Sequence, residues 1–160
     1  EVEVDETYVG GKHSGPRGRG ALGKTPVFGM LQRDGDVMTK VVADTTKTEL
    51  QPIIRENVHQ GSTVHSDEYR SYRGLNREGY KHKTVNHGEG VYAVGNKHVN
   101  NLENFWKHLK GSINGTHMHV SKKHLGKYVK EFEYRFNRRK NPGAMFSELV
   151  SVFPQPLAQG

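Results

Sequence analysis

Apolar residues recur at two periods along the chain, and the two periods mark out its elements. Val2 and Val4 alternate with Glu1, Glu3 and Asp5, which predicts a strand over residues 1–9. The stretch PVFGMLQRDGDVMTKVV, residues 26–42, holds two apolar runs around Asp34-Gly35, a strong two-residue turn signal, and predicts a β-hairpin. Thr48 with Gln51 resembles a capping box, followed by Leu50, Ile53 and Ile54 on one helical face. Pro52 falls near the first turn of that helix, where a missing amide proton costs little, and the helix is expected to end about Val58. STVHSD (62–67) and KHKTVNH (81–87) read as short strands, with a short helix or turn over YRSYRGLNREG (69–79) between them.

The later part of the chain switches to the helical period. Leu102, Phe105, Trp106, Leu109 and Ile113 form one amphipathic stripe, and Leu125, Tyr128, Val129, Phe132 and Phe136 form a second that starts near Ser121. NRRKNPG (137–143) closes the second helix, and residues 142–160 read as a loosely held tail. GGKHSGPRGRGALGKT (10–25) and GEGVYAVGNKH (88–98) read as loops. The order is strand, hairpin, helix, strand, strand, helix, helix, which indicates a mixed α/β layer fold.

Charge then narrows the partner. The chain has 160 residues, the size of one domain, with 24 basic against 17 acidic side chains, a net charge of +7 and ten further histidines. Such a surface favours a polyanion, nucleic acid before an anionic membrane, over the plainer alternative of a soluble basic protein. No cysteine is present, which removes disulfides, thiolate metal sites and cysteine nucleophiles together and fits a reducing compartment. No apolar run reaches membrane-spanning length and no secretory leader opens the chain, so the expected location is the bacterial cytoplasm, in association with the nucleoid. The first residue is Glu, which suggests a domain cut from a longer protein or an incomplete reading frame.

In a basic chain, the acids of VDETY (4–8) and SDEY (66–69) call for an explanation. Strand parity puts Val2, Val4 and Glu6 on one face and Glu3, Asp5 and Thr7 on the other. If the valines face the core, Asp5 lies on the polar side. Val64 and Ser66 likewise oppose His65 and Asp67, so parity favours Asp5 and Asp67 as a pair, with Glu6 a structural neighbour. Glu103, Lys107 and Lys110 follow one another along a helix face beside the apolar stripe. Two strand-end aspartates and a helical glutamate can converge on one point, where hard divalent ions, Mg²⁺ or Mn²⁺, would relieve their repulsion. A pair of such ions serves phosphoryl transfer. The alternative is that these acids are ordinary surface ion-pair partners or caps.

Thirty-five residues lie between Asp67 and Glu103, and Lys110 follows seven after Glu103. This spacing resembles the DDE transposase and retroviral integrase superfamily. The strings VDETYVGGK, GRGALGKTPVFGM, HSDEYRSY, HVNNLENFWKHLKGSINGTHMHVSKKHL and YVKEFEYRFNRR together are similar to the ISXO-two-like transposase domain of bacterial insertion sequences. The resemblance covers about residues 2–141 and implies an RNase H-like fold, a central mixed sheet flanked by helices. It assigns Asp5, Asp67 and Glu103 as catalytic acids and metal ligands for Mg²⁺ or Mn²⁺, as two ions, and Lys110 as a DNA contact. The implied chemistry is hydrolysis at the element's 3′ ends followed by joining of those ends to target DNA. It also implies a catalytic domain over residues 1–141, an upstream DNA-recognition segment absent from this chain, and a homo-oligomer when DNA is bound. Two other functions stay open: a retired transposase kept as a DNA-binding module, and a nuclease of RNase H type acting on RNA–DNA hybrids.

Further basic residues are candidates for the DNA backbone: Lys107 beside Lys110, Arg17, Arg19 and Lys24 in the glycine-rich loop, and Arg135, Arg138 and Arg139 on the last helix, where a solvated face explains the arginines nearly as well. GRGALGKT (18–25) satisfies the phosphate-loop pattern literally, but it leads into Pro26 and a strand where that motif must open a helix. His117, His119 and His124 match no common metal spacing. His65 neighbours the site in sequence, and Trp106 belongs to the apolar stripe, as core and not as a base-stacking platform.

Overall fold

The structure is a computed structural model that describes residues 1–10, 23–85, 100–116 and 120–152. Arg17 and Arg19, most of both predicted loops, His117, His119 and the last eight residues lie outside the described residues. The elements are β1 (Val2–Val9), β2 (Thr25–Gln32), β3 (Val37–Val41), α1 (Lys47–Asn57), β4 (Thr63–Ser66), β5 (Lys81–Thr84), α2 (Asn100–Thr116), α3 (Lys122–Asn137) and α4 (Pro142–Ser151). Two single-turn 3₁₀ helices, Arg70–Tyr72 and Leu75–Glu78, join β4 to β5.

The five strands form one sheet in the order β3-β2-β1-β4-β5. The hairpin β2–β3 and the pair β1–β2 are antiparallel, while β4 joins β1 and β5 joins β4 in parallel. This mixed sheet with helices on both faces is the RNase H-like arrangement that the family resemblance implies. Alternation along each strand feeds two cores. On one face Val4, Phe28, Met30 and Val64 pack with Leu50, Ile53 and Ile54 of α1 and with Tyr72 and Leu75. On the other, Val9, Val27, Leu31 and Val37 pack with Leu102, Phe105, Trp106 and Leu109 of α2 and with Leu125 and Val129 of α3. Each such side chain contributes about 1.5–3 kcal/mol of transfer free energy, so neither helical layer is dispensable.

The second core corrects one expectation. The face of β1 that carries Glu3, Asp5 and Thr7 is not a polar surface: α2 covers it, and Glu3 is fully buried. Four local readings also change. The helix α1 is capped at Thr46, two residues before the predicted Thr48, and Asp44 fixes that corner by accepting from the Thr46 amide at 2.8 Å. Gln51, freed from a capping role, donates instead to the Ser71 and Arg73 carbonyls at 2.9 and 3.1 Å. Pro52 sits inside α1, past its first turn. The hairpin turn closes through Gly35 N–H to the Gln32 carbonyl at 2.9 Å, and Asp34, with φ of 58°, takes the left-handed position, which Asp tolerates better than most residues. Finally, residues 142–151 are not a loose tail but the helix α4, started by Pro142, whose fixed φ suits a first helical turn.

One edge of the sheet is closed by side chains. Asn137 of α3 accepts from the Val37 amide at 2.8 Å and donates to the Val37 carbonyl at 2.9 Å, as a neighbouring strand would. Glu133 accepts from the Thr39 amide at 2.6 Å and from the Thr39 hydroxyl. These contacts satisfy backbone groups of β3 that would otherwise offer a template for another chain.

Candidate functional site

Parallel pairing brings the two aspartates together. In the β1–β4 ladder Val2 lies opposite Val64 and Glu3 opposite His65. Continued two residues, that register leads from Glu3 to Asp5 and from His65 to Asp67, which lies just past the last residue of β4, and the charge of Asp67 is felt at Asp5. Asp5 lies mid-strand in β1 on the face covered by α2, and Asp67 follows the carboxyl end of the neighbouring parallel strand β4, a common position for sites in such sheets.

The helix α2 is fastened to β1 at two points. Glu3 accepts from the Leu102 amide at 3.2 Å and from the Asn101 side-chain amide at 3.1 Å, so a buried carboxylate from the central strand satisfies amides of the helix's first turn. Burial pushes the Glu3 carboxyl above its usual range, and those two bonds pull it part of the way back. One turn on, the Trp106 indole donates to Asp5 Oδ2 at 3.1 Å. Glu103 lies between the two fastenings, and α2 runs in the direction of β1. Sequence reading treated Glu3 only as a member of the Asp5 face. An acid within a central strand was the available sign that helix donors would have to meet it.

The electrostatics tie the acids to one another. Burial, and after it the charges of Glu6, Asp67 and Glu103, push Asp5 from 3.8 up to about 7. Glu6 belongs to the opposite face: it accepts from the buried Tyr72 hydroxyl at 2.6 Å, and burial with that carboxylate holds the phenol well above its usual range. Asp67 shapes its own corner by accepting from the Tyr69 amide at 2.9 Å. Among the described residues, no three His, Asp or Glu side chains are arranged to hold one ion as they stand. The donor chemistry nevertheless suits a hard cation: a carboxyl whose ionisation is opposed first by burial and then by neighbouring carboxylates gains most from a divalent positive charge.

The basic candidates divide by position. Lys110 is partly buried on α2 near Asp5; burial, then the nearby charge of Lys24, hold its ammonium below its usual range, while Asp5 acts in the opposite sense. Lys24 immediately precedes β2, whose first residue pairs with Val9 at the end of β1. Lys107 is exposed on the same helix. The three arginines are engaged with their own chain. Arg135 pairs with Glu131 at 2.6 Å, Arg138 with Glu148 of α4 at 2.8 Å, and Arg139 stacks on Phe136 at 3.9 Å. Arg139 also donates to the Gly35 carbonyl at 3.3 Å, which places it at the β2–β3 turn, the end of the sheet away from Lys24. His65 is fully buried, with its Nε2 3.6 Å from Glu1 at the start of β1, and burial holds it below its usual range. Trp106 packs edge-on against Phe105 with ring centres 5.1 Å apart, as the apolar stripe predicted, but its indole nitrogen reaches the site as well. Among the described residues, no helix is long and apolar enough to cross a membrane.

Comparison with known proteins bears on what this geometry serves. Residues 1–137 match the family model described as the ISXO2-like transposase domain. An "uncharacterized transposase-like protein" of Haemophilus influenzae is 38% identical over 104 residues, 63% of this chain and 80% of that protein. An "uncharacterized protein in transposable element ISH50" of Halobacterium salinarum is 29% identical across 89% of this chain. This chain spans about half of that second relative, 54% of its length.

Proposed function

The chain belongs to the ISXO2-like transposase domain family, and on that premise we propose that it is the catalytic domain of a transposase that cuts and joins DNA by metal-dependent phosphoryl transfer. The observation that supports this reading is the electrostatic coupling of Asp5, on β1 under α2, to Asp67 and Glu103: burial, then the charges of Glu6, Asp67 and Glu103, raise Asp5 to about 7. Acids that destabilise one another in the folded protein serve no packing purpose, whereas they suit a site completed by divalent cations.

Asp5, Asp67 and Glu103 would hold one or two Mg²⁺ or Mn²⁺ ions. Bound ions supply an activated oxygen nucleophile and charge neutralisation at the attacked phosphate and the leaving oxygen. The chain's own residues supply placement. The β1–β4 pairing would hold the two aspartates near one another, and Glu3 and Trp106 would hold the helix that carries Glu103. Lys110 and Lys24, at the same end of the sheet, meet the phosphate oxygens of the DNA strand. In the first reaction water attacks the phosphodiester at the element end and a 3′-hydroxyl leaves. In the second, that 3′-hydroxyl attacks a target phosphodiester and displaces the target strand's own 3′-oxygen. Both are in-line transfers, so one carboxylate cluster serves both. Two element ends are joined in one event, so the working form is a homo-oligomer on DNA.

The test is strand cleavage of labelled DNA carrying the ends that flank the gene, using the full-length protein with Mg²⁺, Mn²⁺ or Ca²⁺. Nicking at the element 3′ ends with Mg²⁺ and Mn²⁺, and none with chelator, is the expected result. DNA binding without cleavage under every metal would favour a retired binding module, and selective cleavage of the RNA strand in hybrids would favour a nuclease.

A further inference from the structure

We infer that Trp106 is a positioning residue for Asp5, and that Gly29 exists at its position to let it be one. The inference rests on the proposed metal-dependent reading and concerns how that site is held in shape. Three observations meet here. The Trp106 indole N–H donates to Asp5 Oδ2 at 3.1 Å. Gly29 is the residue opposite Asp5 in the β1–β2 ladder. A Cβ added at Gly29 would stand 2.5 Å from Trp106 Cζ2 and 2.7 Å from Cη2, closer than side-chain carbons approach one another. The indole therefore lies over bare backbone in the middle of a strand, and from there its nitrogen reaches across to the neighbouring strand's carboxylate.

Glycine inside a strand is otherwise a poor choice, because it forgoes packing and orders an unusually free backbone. Its φ here is not in the left-handed region, so conformation does not demand it. Close approach of the ring does. Tryptophan is equally specific at position 106: phenylalanine would fill much of the same space among Phe105, Leu102 and the sheet but carries no donor. The bond fixes one carboxylate oxygen of Asp5 and so restricts which oxygen the acid presents to a ligand. Partners of this kind, which orient metal-binding carboxylates and histidines, are typically worth about 10–100-fold in metal affinity.

Trp106 is the chain's single tryptophan, so its indole resonance and its fluorescence report on this contact alone. The experiment uses the whole 160-residue chain. Mn²⁺ binding is measured by calorimetry for wild type, W106F and G29A, with circular dichroism as the check on folding. The indole ¹⁵N–¹H signal is followed in wild type and D5A, with and without Mg²⁺. Expected are Mn²⁺ affinity weaker by about tenfold or more in both W106F and G29A, and an indole signal that moves with Mg²⁺ in wild type but not in D5A. Should W106F fail to fold, benzothienylalanine at the same position, which keeps the ring's shape and replaces N–H by sulfur, carries the comparison. Wild-type affinity in the donor-less folded variant, or an indole signal indifferent to D5A, would overturn the positioning role alone. Wild-type protein that binds no Mn²⁺ would overturn the metal reading and this role together.

Discussion

Replacing Asp5 by Asn should stabilise the metal-free protein while abolishing its chemistry. Asn keeps the shape of Asp5 and still offers an oxygen to the Trp106 indole, so the change isolates the charge. Burial and the carboxylates of Glu6, Asp67 and Glu103 raise Asp5 from 3.8 to about 7. Folding therefore favours the protonated acid. Between those two values the native state holds a proton that the unfolded chain has released, so stability falls as pH rises from about 4 to 7. The full shift corresponds to about 4 kcal/mol, all of it lost to wild type above pH 7 and none of it below pH 4. The assay is urea denaturation of wild type and D5N in chelator at low salt, from pH 4 to pH 8. The difference should be near zero at pH 4 and climb to several kcal/mol in favour of D5N at pH 8, roughly 10 °C in melting temperature. Saturating Mg²⁺ should shrink it by stabilising wild type only, through mass action on the folded state. A D5N protein no more stable than wild type at pH 8, or a difference that does not vary with pH, would refute the argument.

Other perturbations separate the scaffold from the site. Y72F removes the buried donor to Glu6 Oε2, now 2.6 Å away, and should cost about 1–3 kcal/mol in urea denaturation. N137A strips the side-chain cover from the Val37 amide and carbonyl, so hydrogen exchange at Val37 should accelerate and stability drop by about 1 kcal/mol, with the circular dichroism spectrum retained. K110A removes a cation near Asp5 and should weaken DNA binding evenly across sequences, lowering the slope of log affinity against log salt by about one. R139A, by contrast, removes a side chain engaged with the β2–β3 turn and should leave that slope unchanged.

Much of this architecture was legible from periodicity alone, because each element presents a clear stripe to a core. Val2 and Val4, Leu50 with Ile53 and Ile54, and the stripe from Leu102 to Ile113 all lie where alternation or helical spacing put them. Local chemistry misled where two solutions competed. Thr48 and Gln51 have the right spacing for a cap, but Gln51 is needed to satisfy two carbonyls of the 3₁₀ segment, and the helix starts earlier. The stretch after Asn141 reads as a tail because NRRKNPG signals a stop, yet Pro142 starts a helix there, one whose apolar residues find little cover, with Phe146 74% exposed.

The ranking of the acids rested on a different property. Parity is a property of each strand by itself, so Asp5 and Asp67 could be ranked above Glu6 and Glu68 without knowing the sheet order. What holds the pair in place was not legible. The contributions of Glu3, Gly29 and Trp106 depend on α2 lying along β1 on that face, and no single segment encodes that. Trp106 in particular read as core from its stripe, and it is core; the direction of its nitrogen is a fact of tertiary structure.

The most direct test of the central claim is single-turnover nicking of labelled element ends by Asp67→Ala in the full-length protein with Mg²⁺. Loss of cleavage by several orders of magnitude, with folding and DNA affinity close to wild type, is the expected result. Cleavage at the wild-type rate in D67A would contradict the account, because Asp67, whose charge is felt at Asp5, would then have no part in the chemistry.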